Sequence, residues 1–179
     1  DPLNEEFFRE NPDAGAGEAP IQRNQLFGTV NVQGIELELL YQPIPEWSLI
    51  LGYTHYIKAD SFDQGTDQFL RIPGTPDNRI SIWNKYDFKD GSLDGLSIGF
   101  GGIYSEEFIS SPLIPTSNFI ADAFLAIDMM FQYTKEISDS LEWQISLNIK
   151  NVTDEIYYGG GFGTPSDPRK FLLTNKFSF

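Results

Sequence analysis

The chain has no cysteine and a single histidine, His55. Without thiols there is no disulfide framework, no Cys-based zinc site and no thiol nucleophile. One imidazole leaves no multi-His metal centre. Basic residues are scarce: 12 Lys plus Arg stand against 26 Asp plus Glu, a formal charge of −14. That balance argues against a nucleic-acid binder, which needs clustered cations. Long apolar runs are missing too. The longest, such as residues 123–127, fall far short of the roughly 18 residues that suggest a transmembrane helix. A membrane-spanning β-strand is not excluded by this, because it needs only about 9–11 residues and hides its signal in alternation. What the chain does have is aromatics. Fifteen Phe, 8 Tyr and 3 Trp sit among 179 residues whose mean hydropathy is −0.27. Such a polar chain with so many rings does not resemble an ordinary helical domain.

The apolar residues recur with a period of two, and no comparable run has a period of 3.6. Ile35, Leu37, Leu39 and Tyr41 alternate with Glu36 and Glu38; Trp47, Leu49, Leu51 and Tyr53 with Ser48, Gly52 and Thr54. The cleanest case sets Leu141, Trp143, Ile145, Leu147 and Ile149 against Glu142, Gln144, Ser146, Asn148 and Lys150. The pattern predicts seven strands, at roughly 27–42, 47–59, 78–88, 96–106, 119–133, 141–152 and 169–179. A phase slip near Gln33-Gly34 predicts a bulge in the first. Ile50, Trp83, Ile103 and Met130 fall on the polar face, and Asn84 and Asn175 on the apolar one, against the trend.

The connectors alternate in length. Residues 43–46, 89–95 and 134–140 are short; residues 60–77, 107–118 and 153–168 are long. Outer-membrane barrels have this asymmetry, with short periplasmic turns and long extracellular loops. Tyr41, Trp47, Tyr86, Phe88, Tyr133, Trp143, Phe177 and Phe179 gather at the short-turn ends; Tyr53, Tyr104, Tyr157 and Phe171 gather at the long-loop ends. Interfacial girdles form because a ring prefers the acyl boundary while its polar tip reaches water. The expected fold is all-β: an antiparallel up-and-down transmembrane β-barrel segment of about seven strands. Residues 1–23 are expected to be an irregular or extracellular-loop stretch and residues 24–179 the barrel portion. The chain opens Asp1-Pro2-Leu3, without Met or a signal peptide, as expected if something was removed or if it is a piece of a longer protein.

Several stretches resemble the C-terminal barrel portion of TonB-dependent outer-membrane receptors of the siderophore type. They are Gly34-Ile35-Glu36-Leu37-Glu38, Trp47-Ser48-Leu49 leading to Gly52-Tyr53-Thr54, and Pro76-Asp77-Asn78-Arg79. Leu147 to Asp154 with Tyr157-Tyr158, and Pro168-Arg169 leading to a terminal Phe179, complete the set. The resemblance implies a piece of a barrel of about 22 strands in a Gram-negative outer membrane. It implies import of a scarce ligand such as a ferric siderophore, powered through TonB. The plug and TonB-contacting segment would lie elsewhere in the protein. Implied partners are the ligand, the plug and remaining strands, TonB, outer-membrane lipid and the assembly machinery, with no enzyme activity and no cofactor. Phe171, Leu173, Phe177 and Phe179 resemble the signal that this machinery reads on a last strand, with Thr174 where the family prefers Gly. Alternatives from other classes are a small self-contained outer-membrane barrel, structural or adhesive, and a soluble all-β binding domain.

Other motifs carry less. Asp60, Asp63, Gly65 and Asp67 have the wrong spacing for a calcium loop. Residues 159–163 are Gly-rich but lack the Gly-Lys-Ser/Thr of a phosphate loop. Carboxylates such as Glu36, Glu38, Asp87, Asp128 and Glu142 recur along the strands rather than converging, as a hydrated barrel wall would have them and an acid–base pair would not. His55 reads as an interfacial residue. Gly99, Gly101 and Gly102 suggest a bend or a close backbone approach. Ligand contacts are expected on the long loops, at Phe62, Phe69, Arg71, Phe108, Tyr157, Tyr158 and Phe162, because rings and guanidinium groups suit a bulky anionic chelate. Arg169 is expected to anchor the last loop.

Overall fold

The computed structural model describes residues 29–63, 67–110, 119–159 and 163–179. Seven long strands run in sequence order as one antiparallel meander: β1 (Val30–Ile44), β2 (Trp47–Asp63), β4 (Asn78–Asp87), β5 (Leu96–Ser105), β8 (Phe124–Ser138), β9 (Leu141–Lys150) and β10 (Lys170–Ser178). Three short strands belong to the long connectors. β3 (Gln68–Arg71) pairs with the far end of β2, while β6 (Phe108–Ser110) and β7 (Phe119–Ala121) form a small hairpin of their own. The sheet is open among the described residues, with β1 and β10 at its edges.

Register decides what this sheet is. Across one row, Leu51 faces Ile82, Ile82 faces Gly102, and Gly102 faces Ile127. In others Met129 faces Ile149, which faces Phe171, and Phe131 faces Leu147, which faces Leu173. Every strand therefore presents its apolar set to the same side, and the Ser, Thr, Lys and acidic set to the other. From Leu125 to Tyr133 the apolar side of β8 spans about 27 Å along the strand. At a tilt of about 40° that covers about 21 Å, close to the apolar band of roughly 25 Å that outer-membrane barrels present to lipid.

The girdle residues stand where the pattern placed them. At the short-turn end Trp47 faces Tyr86 and Trp143 faces Phe177. Tyr41 meets Trp47 edge-on at 6.4 Å, and Tyr86 meets Phe88 at 4.9 Å. The two asparagines on the apolar side have a common explanation. The Trp47 indole N–H donates to Asn84 Oδ1, and that of Trp143 donates to Asn175 Oδ1 at 3.4 Å. In both cases the amide sits two residues before the ring that faces the Trp. Each gives the indole a partner where it leaves the apolar zone.

Trp83 bears on two of the three glycines of β5, while Gly102 lies against the Ala126 carbonyl of β8, 2.6 Å from where a Cβ would stand. Trp83 stands on the polar side opposite Gly101. A Cβ on Gly99 would lie 2.7 Å from the Trp83 ring, and one on Gly101 2.7 Å from the ring and 2.2 Å from the Ile82 carbonyl oxygen. Gly99 is bare because an indole lies across it, and Gly101 because the Ile82 carbonyl and the same indole leave no room, an arrangement that covers glycine in a strand with an aromatic neighbour.

Several boundaries differ from the alternation reading. β8 continues to Ser138, so the turn to β9 is only Asp139-Ser140. The stretch expected as one strand from residue 119 breaks at Asp122-Ala123, because β7 leaves the main sheet to pair with β6. β9 stops at Lys150, since Asn151 takes φ +52. The bulge at Gln33/Gly34 is present, but the extra residue is Ile57 of β2: Gln33 faces Lys58 and Gly34 faces Tyr56. Glycine is needed at 34 because a Cβ there would stand 2.5 Å from the His55 carbonyl oxygen. The predicted start of β1 at residue 27 and the boundary near residue 24 lie outside the described residues.

Placing Arg at Leu147, between Phe131 and Leu173 near the middle of the apolar side, should cost about 2–4 kcal/mol, and at Ile145, level with Tyr133 and Asn175 toward the girdle, less. Ser146→Arg, on the opposite side, should cost little. Heat-modifiable mobility of the membrane-inserted protein reads the difference. Gly99→Ala should destabilise by about 1–3 kcal/mol, and by much less in a Trp83→Ala background, as a double-mutant cycle would measure.

Candidate functional site

The long-loop end of the sheet is where the polar and aromatic side chains converge. Asn78, the first residue of β4, ties three strands together. Its Oδ1 accepts from Tyr53 Oη at 2.7 Å and from His55 Nδ1 at 2.9 Å, and its Nδ2 donates to Glu106 Oε2 at 2.8 Å. Its carbonyl also accepts the Glu106 N–H at 3.1 Å. His55 stacks parallel to Tyr53, on the apolar side just beyond the aliphatic band, as an interfacial residue does. Next to this node Arg71 pairs with Asp77 at 2.6 Å and donates to the Thr75 carbonyl at 3.1 Å. Arg71, Asp77, Tyr104, Glu106 and Ile120 line an open cleft of about 730 Å³.

The second node is Asn151, which is only 5% exposed. Its Nδ2 donates to the carbonyls of Glu155 (2.9 Å) and Asp167 (3.0 Å), so it clasps both ends of the loop between β9 and β10. Its Oδ1 accepts the Glu155 N–H at 3.2 Å, and its own N–H donates to Asp128 Oδ1 at 2.9 Å. Asn tolerates the left-handed backbone this position requires, because its short amide bonds locally. Asp154, also left-handed, accepts the Arg169 backbone N–H at 2.7 Å and pairs with the Arg169 guanidinium at 3.4 Å. These contacts hold the Asp154 carboxyl below its ordinary pKa of 3.8, chiefly through the backbone N–H of Arg169. Arg169 thus anchors the last loop, as expected.

The residues proposed from sequence as ligand contacts fall into two groups. Phe62 and Phe69 face each other across β2 and β3, rings 5.3 Å apart, with Arg71 two residues on. Phe69 is 49% exposed, and the Lys58 ammonium lies 5.4 Å from its ring centre. The second group is packed. Phe108 is buried, with Tyr157 and Tyr158 half-buried against the cluster it belongs to. Tyr157 stacks on Phe124 at 4.1 Å, and Tyr158 meets Phe119 edge-on at 4.9 Å. Phe162 lies outside the described residues, as do Gly65 and residues 160–162 of the Gly-rich stretch. Asp60 and Asp63 are strand residues facing Arg71 and Gln68. Phe171, Leu173 and Phe177 line the apolar side of the edge strand β10, and Phe179 follows it.

The charged pairs are spread along the wall: Lys85 with Asp87 at 2.8 Å, Lys150 with Asp128 at 2.6 Å, and Lys170 with Asp167. Asn78, Asn151 and Phe124 are structural nodes that alternation did not single out. The signal available was the polar residue at a strand end followed by Asp or Arg, Asn78-Arg79 and Asn151 with Asp154.

Comparison with known proteins gives a consistent result. The family described as TonB dependent receptor-like, beta-barrel, matches residues 5–152. The ferripyoverdine receptor of Pseudomonas aeruginosa is 28% identical over 155 residues, covering 82% of this chain and 18% of that protein. The catecholate siderophore receptor Fiu of Escherichia coli K12 is 27% identical over 167 residues, covering 86% and 20%. A solved structure, the ferripyoverdine receptor of the outer membrane of Pseudomonas aeruginosa bound to ferripyoverdine, superposes with a TM-score of 0.61 at 24% identity, over 82% of this chain and 19% of that one. The chain spans about a fifth of the length of the curated relatives it matches.

Acidification should release the last loop. Asp154 has a depressed pKa, so its contribution is complete above the ordinary value of 3.8 and is lost as pH falls through the lower folded value. Protease cleavage between residues 151 and 169 should rise below about pH 4, and Asp154→Asn should show the low-pH behaviour at neutral pH. Asn151→Ala should open the same loop at every pH and cost roughly 2–4 kcal/mol, through three lost amide bonds and a strained backbone.

Proposed function

Since this chain belongs to the TonB-dependent receptor β-barrel family, we propose that it forms part of the wall and outer rim of an outer-membrane receptor that imports a ferric siderophore. The observation that carries this reading is the register. Seven strands hold one apolar side and one polar side in phase, with aromatic girdles at both ends of the apolar side. A lipid-facing wall needs such a surface, whereas a soluble protein would have to cover it. The relatives are named for ferripyoverdine, catecholate siderophores and ferrioxamine B. They are transport receptors, which fits charged pairs strung along the polar side rather than gathered at one point.

In this reading the polar side faces a hydrated lumen and the plug, and the long loops face the outside. TonB engages a part of the protein beyond this chain. Beyond the membrane band the arm of β2 and β3 offers Phe62, Phe69 and Arg71 at the outer rim, on the flank continuous with the lipid-facing side. A half-exposed ring beside the Lys58 ammonium suits an anionic chelate with aromatic character. Phe171, Leu173, Phe177 and Phe179 serve as the assembly signal on the last strand.

The full-length protein, expressed in a strain lacking its own siderophore receptors, should restore radio-iron uptake from at least one of ferripyoverdine, a ferric catecholate and ferrioxamine B. Uptake should vanish when tonB is deleted. Failure with all three probes despite normal outer-membrane insertion would remove the siderophore assignment.

A further inference from the structure

We propose that Tyr157 and Tyr158 are positioning residues rather than ligand contacts: they lock the described parts of the three long outer loops into one rigid collar. The role of that collar in import rests on the receptor reading above, but its existence does not. Phe108, Ala121, Phe124 and Ala126 are the buried apolar residues of a cluster at the long-loop end, and Phe119, Tyr157 and Tyr158 pack against it. Phe124 and Ala126 belong to the start of β8, and the others come from two different connectors. Phe108, Phe119 and Ala121 belong to the β6–β7 hairpin, which pairs Phe108 with Ala121 and Ser110 with Phe119. Tyr157 and Tyr158 belong to the loop after β9. Among the described residues, the edge contact of Tyr158 with Phe119 links the rings of the two connectors directly, and the stack of Tyr157 on Phe124 ties the last loop to the first residue of β8, inside the same cluster.

The backbone holds the two tyrosines in place. Tyr157 N–H donates to Ser166 Oγ at 3.1 Å, the Ser166 N–H donates back to the Tyr157 carbonyl at 2.6 Å, and Tyr158 bridges to Pro165. Val152 N–H reaches across to the Ile127 carbonyl of β8 at 2.7 Å. The first connector joins through Gly74 N–H, which donates to the Ile109 carbonyl of β6 at 2.8 Å, and through the Asn78–Glu106 bonds. All three loops thus converge on the β6–β7 hairpin. A buried apolar cluster opens as a unit or not at all, since exposing one ring strips its neighbours of contacts. The collar therefore moves as a body, and a loop closing over ligand independently would have to break it.

The test is hydrogen exchange on the full-length receptor in lipid, without ligand. Tyr157→Ala should raise exchange about tenfold or more in its own loop and also at residues 108–110 and 119–121, which are distant in sequence. Residues 125–133 and 141–149 should not change. Tyr157→Phe keeps the stack and should restore wild-type exchange at all sites. Tyr158→Ala should reproduce the effect through Phe119. A change confined to residues 155–166, or a Phe variant behaving like Ala, overturns the proposal. If the Ala variants do not assemble, a temperature series on the wild type decides. The three loops losing protection together supports the collar, and losing it in separate steps overturns it. Because no ligand is used, failure here is distinct from failure of the uptake experiment.

Discussion

Everything in this structure depends on the seven strands sharing one phase. The side-chain period of a strand is two, so a slip of one residue between any two neighbours would carry a whole apolar row to the polar side. In a sheet with water on one side the error would be costly. In a sheet with lipid on one side and a hydrated lumen on the other it would place charge in hydrocarbon. The pairings leave no such slip within the membrane band. Leu51, Ile82, Gly102 and Ile127 form one row, and Phe131, Leu147 and Leu173 another. The irregularities lie outside it, at Ile57 on the long-loop side and near Ile44 and Ser138 on the short-turn side.

The departures from alternation turn out to serve the same constraint. Trp83 on the polar side occupies the space that Gly99 and Gly101 leave, so two residues that would weaken a strand are covered by one that stiffens it. Asn84 and Asn175 on the apolar side accept the indole protons of Trp47 and Trp143. A Trp at the edge of the apolar zone needs a partner for its N–H, and an amide one strand away supplies it without water. The same Trp–Asn arrangement at two places in the sheet, on non-adjacent hairpins, marks the depth at which the wall leaves lipid.

Alternation made the membrane wall legible because it is a local signal: each strand's apolar side is written in its own ten residues. The alternating connector lengths and the placement of rings at strand ends were legible for the same reason. The loop ends were not. Whether Tyr157 meets a ligand or Phe124 depends on contacts between residues more than thirty positions apart, and no period records that. Aromatic residues on a long loop read equally as contact or as packing, and in the structure Phe108, Tyr157 and Tyr158 gather in one cluster. Asn151 is a clasp only because Asp167, sixteen residues on, comes within reach of its amide, and no local pattern records that.

The bulge shows how a small misreading propagates. The phase slip in β1 was legible at Gln33-Gly34, yet the extra residue belongs to β2, at Ile57. Below it, odd residues of β2 such as Tyr53 and His55 share the apolar side. Above it, Lys58 pairs with Gln33 and Asp60 with Asn31, so the even residues take that side instead. Phe62 follows Asp60 in this phase, and its partner Phe69 and neighbour Arg71 follow with it. Hence the β2–β3 arm presents Lys58, Phe69 and Arg71 on the flank continuous with the lipid-facing side, next to the Tyr53–His55–Asn78 node. Thr54 and Gly52, only a few residues earlier and of the same parity, face the lumen. One inserted residue thus decides which side of the rim an entire cluster of rings and cations serves, and it does so without changing a single residue of the arm itself.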